Sequence, residues 1–233
     1  MKLAIIIPVY NESENIRATV EDIERKVKTF HKIYIVYDFP EDNTLPVAEE
    51  LSKQGLPIVC MKNSSRGVAN AIKTGLRNAF GEYLLVTMAD MSDDYSVVDE
   101  MCSRMSAGCD VVCGSRYCKG GKQIGGPLVK KLISRTVGVS LRLLTGLPTY
   151  DATNSFKMYR KSMLDSMQIE SDAGFEVGIE IVVKAYFGGF KVEELPCVWT
   201  ARQQGKSRFK ILKWAPKYLK WYFYALKHMI RNR

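Results

Sequence analysis

Two hydrophobic periods alternate along the first half of the chain. "KLAIIIPVY" (2–10) is an unbroken β-branched run, as a strand covered on both faces requires. "ENIRATVEDIERKV" (14–27) then sets Ile16, Val20, Ile23 and Val27 at helical spacing. The exchange repeats with strand "KIYIVYD" (32–38), a helix near 44–54, strand "PIVCMK" (57–62) and a helix near 67–80. It continues with a strand over 82–88, a helix near 96–107 and strand "DVVCGS" (110–115). Such βαβα order predicts an α/β fold, a mostly parallel central sheet flanked by helices.

The second half is less regular. "GGPLVKKLISRTVGVSLRLLTG" (125–146) predicts a long helix with Pro127 near its start and Gly146 past its end. Strands over 152–160 and 188–199 enclose a helix over 175–189, and Pro216 is expected to start a final helix. In that helix Lys217, Lys220, Lys227 and Arg231 form one stripe beside a broad aromatic and aliphatic face. This pattern suits an amphipathic helix lying in lipid headgroups, the other reading being an apolar face packed on the domain or a second copy with the stripe in solvent. The expected division is a body over 1–208 and a basic aromatic C-terminal helix over 209–233, with no linker or repeat between them.

Charge sharpens the picture. The net charge is +9, and from Ala201 onward there are ten Lys and Arg and no acid, so residues 1–200 hold 24 basic against 25 acidic side chains. That asymmetry concerns partners, not fold. No nucleic-acid motif accompanies it, and a membrane surface is the expected partner. No run of about 18 uncharged apolar residues is present to span a bilayer. The opening "MKLAIIIPVYNE" is too short an apolar run for a secretory signal. The six cysteines form no C-x-x-C pair, so reduced structural thiols and a cytoplasmic setting are expected.

Candidate chemistry sits at strand ends, because parallel sheets gather ligands at the carboxyl ends of their strands. The first strand opens into "PVYNESEN" with no G-x-G-x-x-G, so no glycine cradle for a dinucleotide pyrophosphate follows it. Pro8, Tyr10, Asn11 and Glu12 instead offer groups for a base and a ribose, and Asp38 ends the second strand. "EYLLVTMADMSDDY" (82–95) carries an apolar strand into Asp90, Asp93 and Asp94, with Met88 where a second metal ligand would stand. Arg116, in "GSRY" after the fifth strand, is placed to meet an anion.

Taken in order, "IIIPVYNESENI", "IVYDFPEDNT", "NSSRGVANAIKTGLRNAFGEYLLVTMAD", "DVVCGSRYCKGG", "GGPLVKKLISR", "LTGLPTYDATNSFKMYRKSML" and "ARQQGKSRF" resemble the family 2 glycosyltransferases of the GT-A fold. The nearest branch is the dolichyl- or polyprenyl-phosphate mannose synthases. The resemblance implies sugar transfer from a nucleotide-sugar donor to a polyprenyl phosphate at the cytoplasmic membrane face, with Mg²⁺ or Mn²⁺ as cofactor. It implies that Pro8, Tyr10, Asn11, Glu12 and Asp38 hold the nucleotide, and that Asp90, Arg116 and Arg202 are catalytic. Lys130 and Ser134 match positions that receive the acceptor phosphate, and Arg202, Lys206 and Ser207 match a loop that closes over the donor.

Two departures stand out. The paired aspartates usual after the second strand become Tyr37-Asp38, and the usual Asp-x-Asp becomes Met88-Ala89-Asp90. A thioether is a poor ligand for Mg²⁺, yet Mg²⁺ commonly uses one or two carboxylates and completes its shell with water and phosphate oxygens. Asp90, helped by Ser92 or by Asp93 through water, makes a one-carboxylate metal site. A metal-independent enzyme and a non-catalytic binder of sugar nucleotide or lipid are the other readings. An anionic lipid phosphate needs no strong base; a hydroxyl acceptor would need one, for which Asp151, Glu176 or Glu180 are available.

Overall fold

The computed structural model describes residues 2–202 and 211–231; Lys206 and Ser207 of the expected donor loop lie outside them. The first half follows the predicted alternation closely. β1 (Leu3–Pro8), β2 (His31–Tyr37), β3 (Ile58–Lys62), β4 (Tyr83–Val86) and β5 (Val111–Ser115) are separated by α1 (Ser13–Lys26), α2 (Thr44–Lys53), α3 (Val68–Asn78) and α4 (Val98–Ser106). Then come β6 (Lys122–Ile124), α5 (Leu128–Thr145), β7 (Lys157–Arg160), α6 (Lys161–Asp165), α7 (Val177–Phe187), β8 (Val192–Pro196), β9 (Val198–Thr200) and α8 (Ile211–Arg231).

Seven strands form the main sheet in the order β3-β2-β1-β4-β7-β5-β8, parallel except for β7, which runs antiparallel to β4 and β5. Strand periodicity divides the core in two. Leu3, Ile5, Ile7, Ile33, Ile35 and Leu85 point to one face, with Ile16, Val20, Ile23 and Met101. Ala4, Ile6, Tyr34, Val36, Leu84 and Val86 point to the other, with Ile72, Leu76, Ile179, Val183 and Trp221. Both faces are covered, which is why these strands read as continuous apolar runs. The chain winds outward from β1 to β3 and returns to β4 on β1's other side, so a crevice opens at the carboxyl ends of β1 and β4.

Four differences from the sequence expectation have physical causes. The strand expected over 152–160 is ordered as β7 only from Lys157, because Asp151 and Asn154 turn to other segments: the Asp151 carboxylate accepts from Arg116, and the Asn154 amide donates to the Gly114 carbonyl at 2.9 Å. The strand expected over 188–199 breaks at Cys197, whose N–H donates to the Ser115 carbonyl, and β9 leaves the main sheet to pair with β6. β6 lies in the glycine-bracketed stretch 119–127, which reads as a turn because both flanks are glycine-rich.

The last difference is in α8. It begins at Ile211, and Pro216 lies inside it rather than at its start. The helix packs across α5 and α7. Trp221 is buried, its indole N–H donating to Ser171 Oγ at 2.9 Å, and Ala225 is buried beside it. The first two lysines of its stripe turn to acids of the body, Lys217 to Asp172 at 3.1 Å and Lys220 to Glu170 at 3.0 Å.

Candidate active site

The turn from β1 into α1 is braced from below. Asn11 adopts a left-handed φ of 55°, and its N–H donates to both oxygens of Asp42 at 3.1 Å. Its side-chain oxygen accepts the Asn43 N–H at 3.2 Å, while the Glu12 N–H donates to Thr44 Oγ1 at 2.9 Å. Asp42 is 1% exposed and also accepts from the Thr44 hydroxyl. Asn11 is therefore used in holding the turn. Its neighbours Tyr10 and Glu12 line the adjoining cavity, and the Tyr10 ring meets Phe39 edge-on with centroids 5.3 Å apart.

Asp38, at the end of β2, is oriented by two donors: Asn63 Nδ2 at 2.7 Å and the Gly67 N–H at 2.9 Å. Gly67 has a φ of 101°, a conformation that side chains disfavour, and it leads directly into α3. The carboxylate is thus fixed by the loop after β3 while it faces the cavity.

At the end of β4 the three aspartates separate into three roles. Asp94 caps the short 3₁₀ turn Tyr95–Val97, accepting the Ser96 N–H at 3.1 Å. Asp93 is almost wholly buried, takes the Thr87 hydroxyl at 2.7 Å and the Met88 N–H at 3.3 Å, and has its pKa pushed up to about 7 by burial and then by neighbouring Asp90. Asp90 lines the cavity, steadied by the Ser92 N–H at 3.2 Å. Ser92 itself is buried beside the cavity rather than lining it, and among the described residues its hydroxyl has no hydrogen-bond partner. Met88 also faces the cavity.

Arg202 joins the first and fourth strand ends. Its Nη2 contacts Glu12 Oε1 at 2.5 Å and its Nε lies 3.4 Å from Asp90 Oδ2. Glu12 also accepts from Asn15 Nδ2 at 2.9 Å.

Opposite stands Arg116, after β5. Its Nε and Nη2 donate to Asp151 Oδ2 and Oδ1 at 2.6 and 2.7 Å, and its own N–H adds a third bond at 3.0 Å. Burial would lower its pKa, but the facing carboxylate more than reverses that, so the guanidinium stays charged. Tyr117 and Trp199 lie under it, with ring centroids 4.9 and 5.9 Å away. Behind the pair Lys157 is fully buried, its Nζ donating to the Ala152 carbonyl at 3.1 Å. Gly138 of α5 sits so close that a Cβ there would collide with the Tyr150 carbonyl oxygen, which lets α5 press against this segment. Lys130 and Ser134 of α5 line the cavity, and Ser134 Oγ is held against the Tyr117 hydroxyl.

One cavity of about 1120 Å³ contains Asp38, Asp90, Arg116, Lys130, Ser134 and Arg202 together. A second part of its wall is apolar: Ile133 and Val137 of α5, Phe175, and Trp214, Tyr218 and Leu219 of α8. Of the acids that could serve a hydroxyl acceptor, none lines it. Asp151 is committed to Arg116, and Glu180 accepts the Glu170 and Ser171 N–H groups and pairs with Lys184 at 2.7 Å. Glu176 is buried and takes the Ala173 N–H at 3.0 Å. All six cysteines are free thiols, and burial pushes Cys113 up to about 12. Phe39, Asp42 and Lys157 lie in segments that resemble the family but receive no role there, and Asp151 is read from the sequence only as an acid for a hydroxyl acceptor, not as the partner of Arg116.

The sheet order and its switch-point crevice are those of the GT-A fold, as the comparison with solved structures shows. The chain belongs to glycosyl transferase family 2, whose model matches residues 4–167. Dolichol-phosphate mannosyltransferase of Pyrococcus furiosus is 30% identical over 215 residues, 90% of this chain and 60% of that protein. Polyprenol monophosphomannose synthase of Mycolicibacterium smegmatis is 29% identical over 229 residues, 90% of this chain and 85% of that one. Among solved structures, glucosyl-3-phosphoglycerate synthase from Mycobacterium tuberculosis with Mn²⁺, UDP and glucosyl-3-phosphoglycerate superposes with a TM-score of 0.71 at 14% identity, covering 97% of this chain and 80% of that one. That likeness concerns the fold.

Proposed function

We propose that the chain is an inverting glycosyltransferase that moves one sugar from a nucleoside-diphosphate donor to a polyprenyl phosphate at the cytoplasmic face of a membrane. The observation that carries this reading is the shared cavity: a carboxylate, Asp90, a buried guanidinium, Arg116, and the Lys130–Ser134 pair open onto one space that continues into an apolar wall. Tyr10, with Phe39 behind it, and Asp38 are suited to the base and the ribose, with Pro8 and Glu12 shaping that end.

Negative charge builds on the diphosphate as the sugar–oxygen bond breaks, and fixed cations aimed at it are the main catalytic device. Arg116 is pre-set for this by Asp151. Arg202 is held by Glu12 and Asp90 and stands ready to turn to the donor, with Lys206 and Ser207 following it in the sequence. The acceptor phosphate, already anionic, attacks the anomeric carbon while the electron pair of the broken bond leaves on the nucleoside diphosphate. One displacement inverts the centre and no base is required. That agrees with Asp151, Glu176 and Glu180 all standing outside the cavity lining.

The donor set suits a sparsely ligated divalent ion. Asp90 and Glu12 both face the cavity beside Arg202, and two residues beyond Asp90 stands Ser92, whose hydroxyl has no hydrogen-bond partner among the described residues. No group of three or more His, Cys, Asp or Glu fit to hold a metal occurs among the described residues. Mg²⁺ or Mn²⁺ on Asp90, with Ser92 in support, would rely on phosphate oxygens and water for most of its shell. Bound there it supplies positive charge to the leaving diphosphate.

The test is a panel of UDP- and GDP-sugars incubated with Mg²⁺ or Mn²⁺ and a short polyprenyl phosphate. A lipid-linked sugar from one donor is expected. Transfer to hydroxyl acceptors alone would overturn the acceptor assignment, and tight donor binding without turnover under any metal would overturn the enzyme.

A further inference from the structure

Two carboxylates after neighbouring strands share one counter-ion. Glu12 follows β1 and Asp90 follows β4, and the two strands pair side by side in the sheet. Each acid spends one oxygen on its own turn. Asp90 Oδ1 accepts the Ser92 N–H at 3.2 Å, and Glu12 Oε2 accepts from Asn15 Nδ2 at 2.9 Å. The other oxygen of each meets Arg202: Glu12 Oε1 lies 2.5 Å from its Nη2, and Asp90 Oδ2 lies 3.4 Å from its Nε. Two anchored acids from different strands thus converge on one guanidinium in the cavity wall.

The backbone beside both acids is unusual. Asn11, just before Glu12, has a φ of 55°, and Met91, just after Asp90, has a φ of 59°. Among the described residues they are the two non-glycine positions with a positive φ. Asparagine tolerates that conformation, whereas methionine is strained in it, and such strain persists where surrounding structure fixes a functional geometry.

We propose that Glu12 is the second carboxylate of the divalent-ion site, standing in for the acid that Met88 replaces, and that Arg202 fills this site while no ion is bound. Charge and ligand chemistry carry the assignment. Two anionic groups brought together repel unless a cation lies between them, and Arg202 contacts both. Mg²⁺ and Mn²⁺ favour oxygen ligands, and Mg²⁺ is commonly held by one or two carboxylates. Met88 offers only a thioether to the cavity. Glu12 brings an oxygen from the neighbouring strand, already anchored through its other one. Once a divalent ion neutralises the two acids, Arg202 loses the charge that holds it and is released to the donor diphosphate. Metal loading and the turning of Arg202 are then a single exchange. The proposal rests on the reading of Asp90 as a metal carboxylate, and its measurement needs neither donor nor turnover.

The experiment is titration of the full chain with Mn²⁺ alone, with bound ion read from the loss of the free-ion paramagnetic resonance signal. Arg202→Met removes the competing cation and is expected to tighten Mn²⁺ binding roughly 10-fold. Adding Glu12→Gln to Arg202→Met should weaken it again by roughly 10-fold. Two further variants separate direct contact from the general field of the cavity. Lys130→Met removes another cavity cation, and Glu14→Gln removes an exposed acid outside the cavity wall. Both should bind Mn²⁺ as the parent does. Thermal unfolding with and without Mn²⁺ gives a second reading, since an ion that binds the folded chain raises the midpoint. Equal binding by Arg202→Met and by the double variant overturns Glu12 as a ligand. No tightening in Arg202→Met, or as much in Lys130→Met, overturns the exchange. Absence of Mn²⁺ binding by parent and variants alike overturns both. Absence of lipid-linked sugar from every donor counts against the glycosyltransferase reading, and the Mn²⁺ titration still decides the site.

Discussion

Arg116 and Asp151 meet side by side in two parallel bonds, with the carboxylate completely buried and the guanidinium open to the cavity on its remaining face. The pair is a device for presenting a positive charge without letting it move. Asp151→Asn keeps the shape and removes the counter-charge. The expected outcome is a fall of about 100-fold in kcat/KM for the donor, the scale found when a preorganised transition-state donor is lost. Arg116→Met leaves Asp151 buried and unpaired, so it is expected to lower stability by about 3–5 kcal/mol as well, read from urea denaturation. Arg116→Lys keeps charge without the fork and should recover stability better than rate.

Met88 stands beside Asp90 on the cavity wall where a second carboxylate would complete a metal pincer. Met88→Asp is expected to lower the concentration of Mn²⁺ needed for half-maximal activity by about 10-fold, since hard cations favour oxygen donors. Asp90→Asn should abolish turnover, and so should removal of divalent ions by a chelator, with activity returning on addition of Mg²⁺ or Mn²⁺. Full activity in chelator would assign the charge-neutralising role to Arg116 and Arg202 alone.

How far these features could be read beforehand depends on how local they are. Asp38, Asp90 and Arg116 could be placed because parallel strands must deliver their ends to one edge of the sheet. Lys130 and Ser134 could be singled out through the family resemblance, and one helical turn puts them on one face. Asp151 could not, since it reaches Arg116 across 35 positions through a loop with no period. Asp42 likewise supports Asn11 from 31 positions away. The α8 stripe was legible as a stripe, but which way it faced depended on Glu170 and Asp172, acids in a loop far from it in sequence. The exposed apolar residues of α5 have the same letters as a core-facing helix, and only packing tells them apart. β6 and β9 are too short for any period to show.

Asp93 binds its proton more tightly in the folded chain, where its pKa is about 7, than in the unfolded chain, where a carboxyl titrates near about 3.9. The stability tied to this group is therefore fully present below about pH 4, declines as the pH rises, and levels off above about 7. Asp93→Asn retains an oxygen for the Thr87 hydroxyl and has no proton to lose. Its denaturation midpoint, measured from pH 5 to pH 8, should fall less with rising pH than that of the parent. Equal slopes for the two proteins would mean that Asp93 is ionised throughout.

Trp221 anchors α8 to the body through its burial, its bond to Ser171 and the ammonium groups of Lys184 and Lys220 lying over its ring at 4.9 and 4.5 Å. Trp221→Ala removes a large core side chain and is expected to cost about 3–5 kcal/mol. Because Trp214, Tyr218 and Leu219 of the same helix line the cavity, loosening α8 should also disturb the acceptor end of the site. Trp221→Phe, which keeps most of the apolar volume, is expected to recover most of the stability. At a temperature where each variant is fully folded, Trp221→Ala should raise KM for the polyprenyl phosphate and leave KM for the sugar nucleotide close to that of the parent. A parallel rise in both would mean that α8 supports the whole crevice instead of its apolar end.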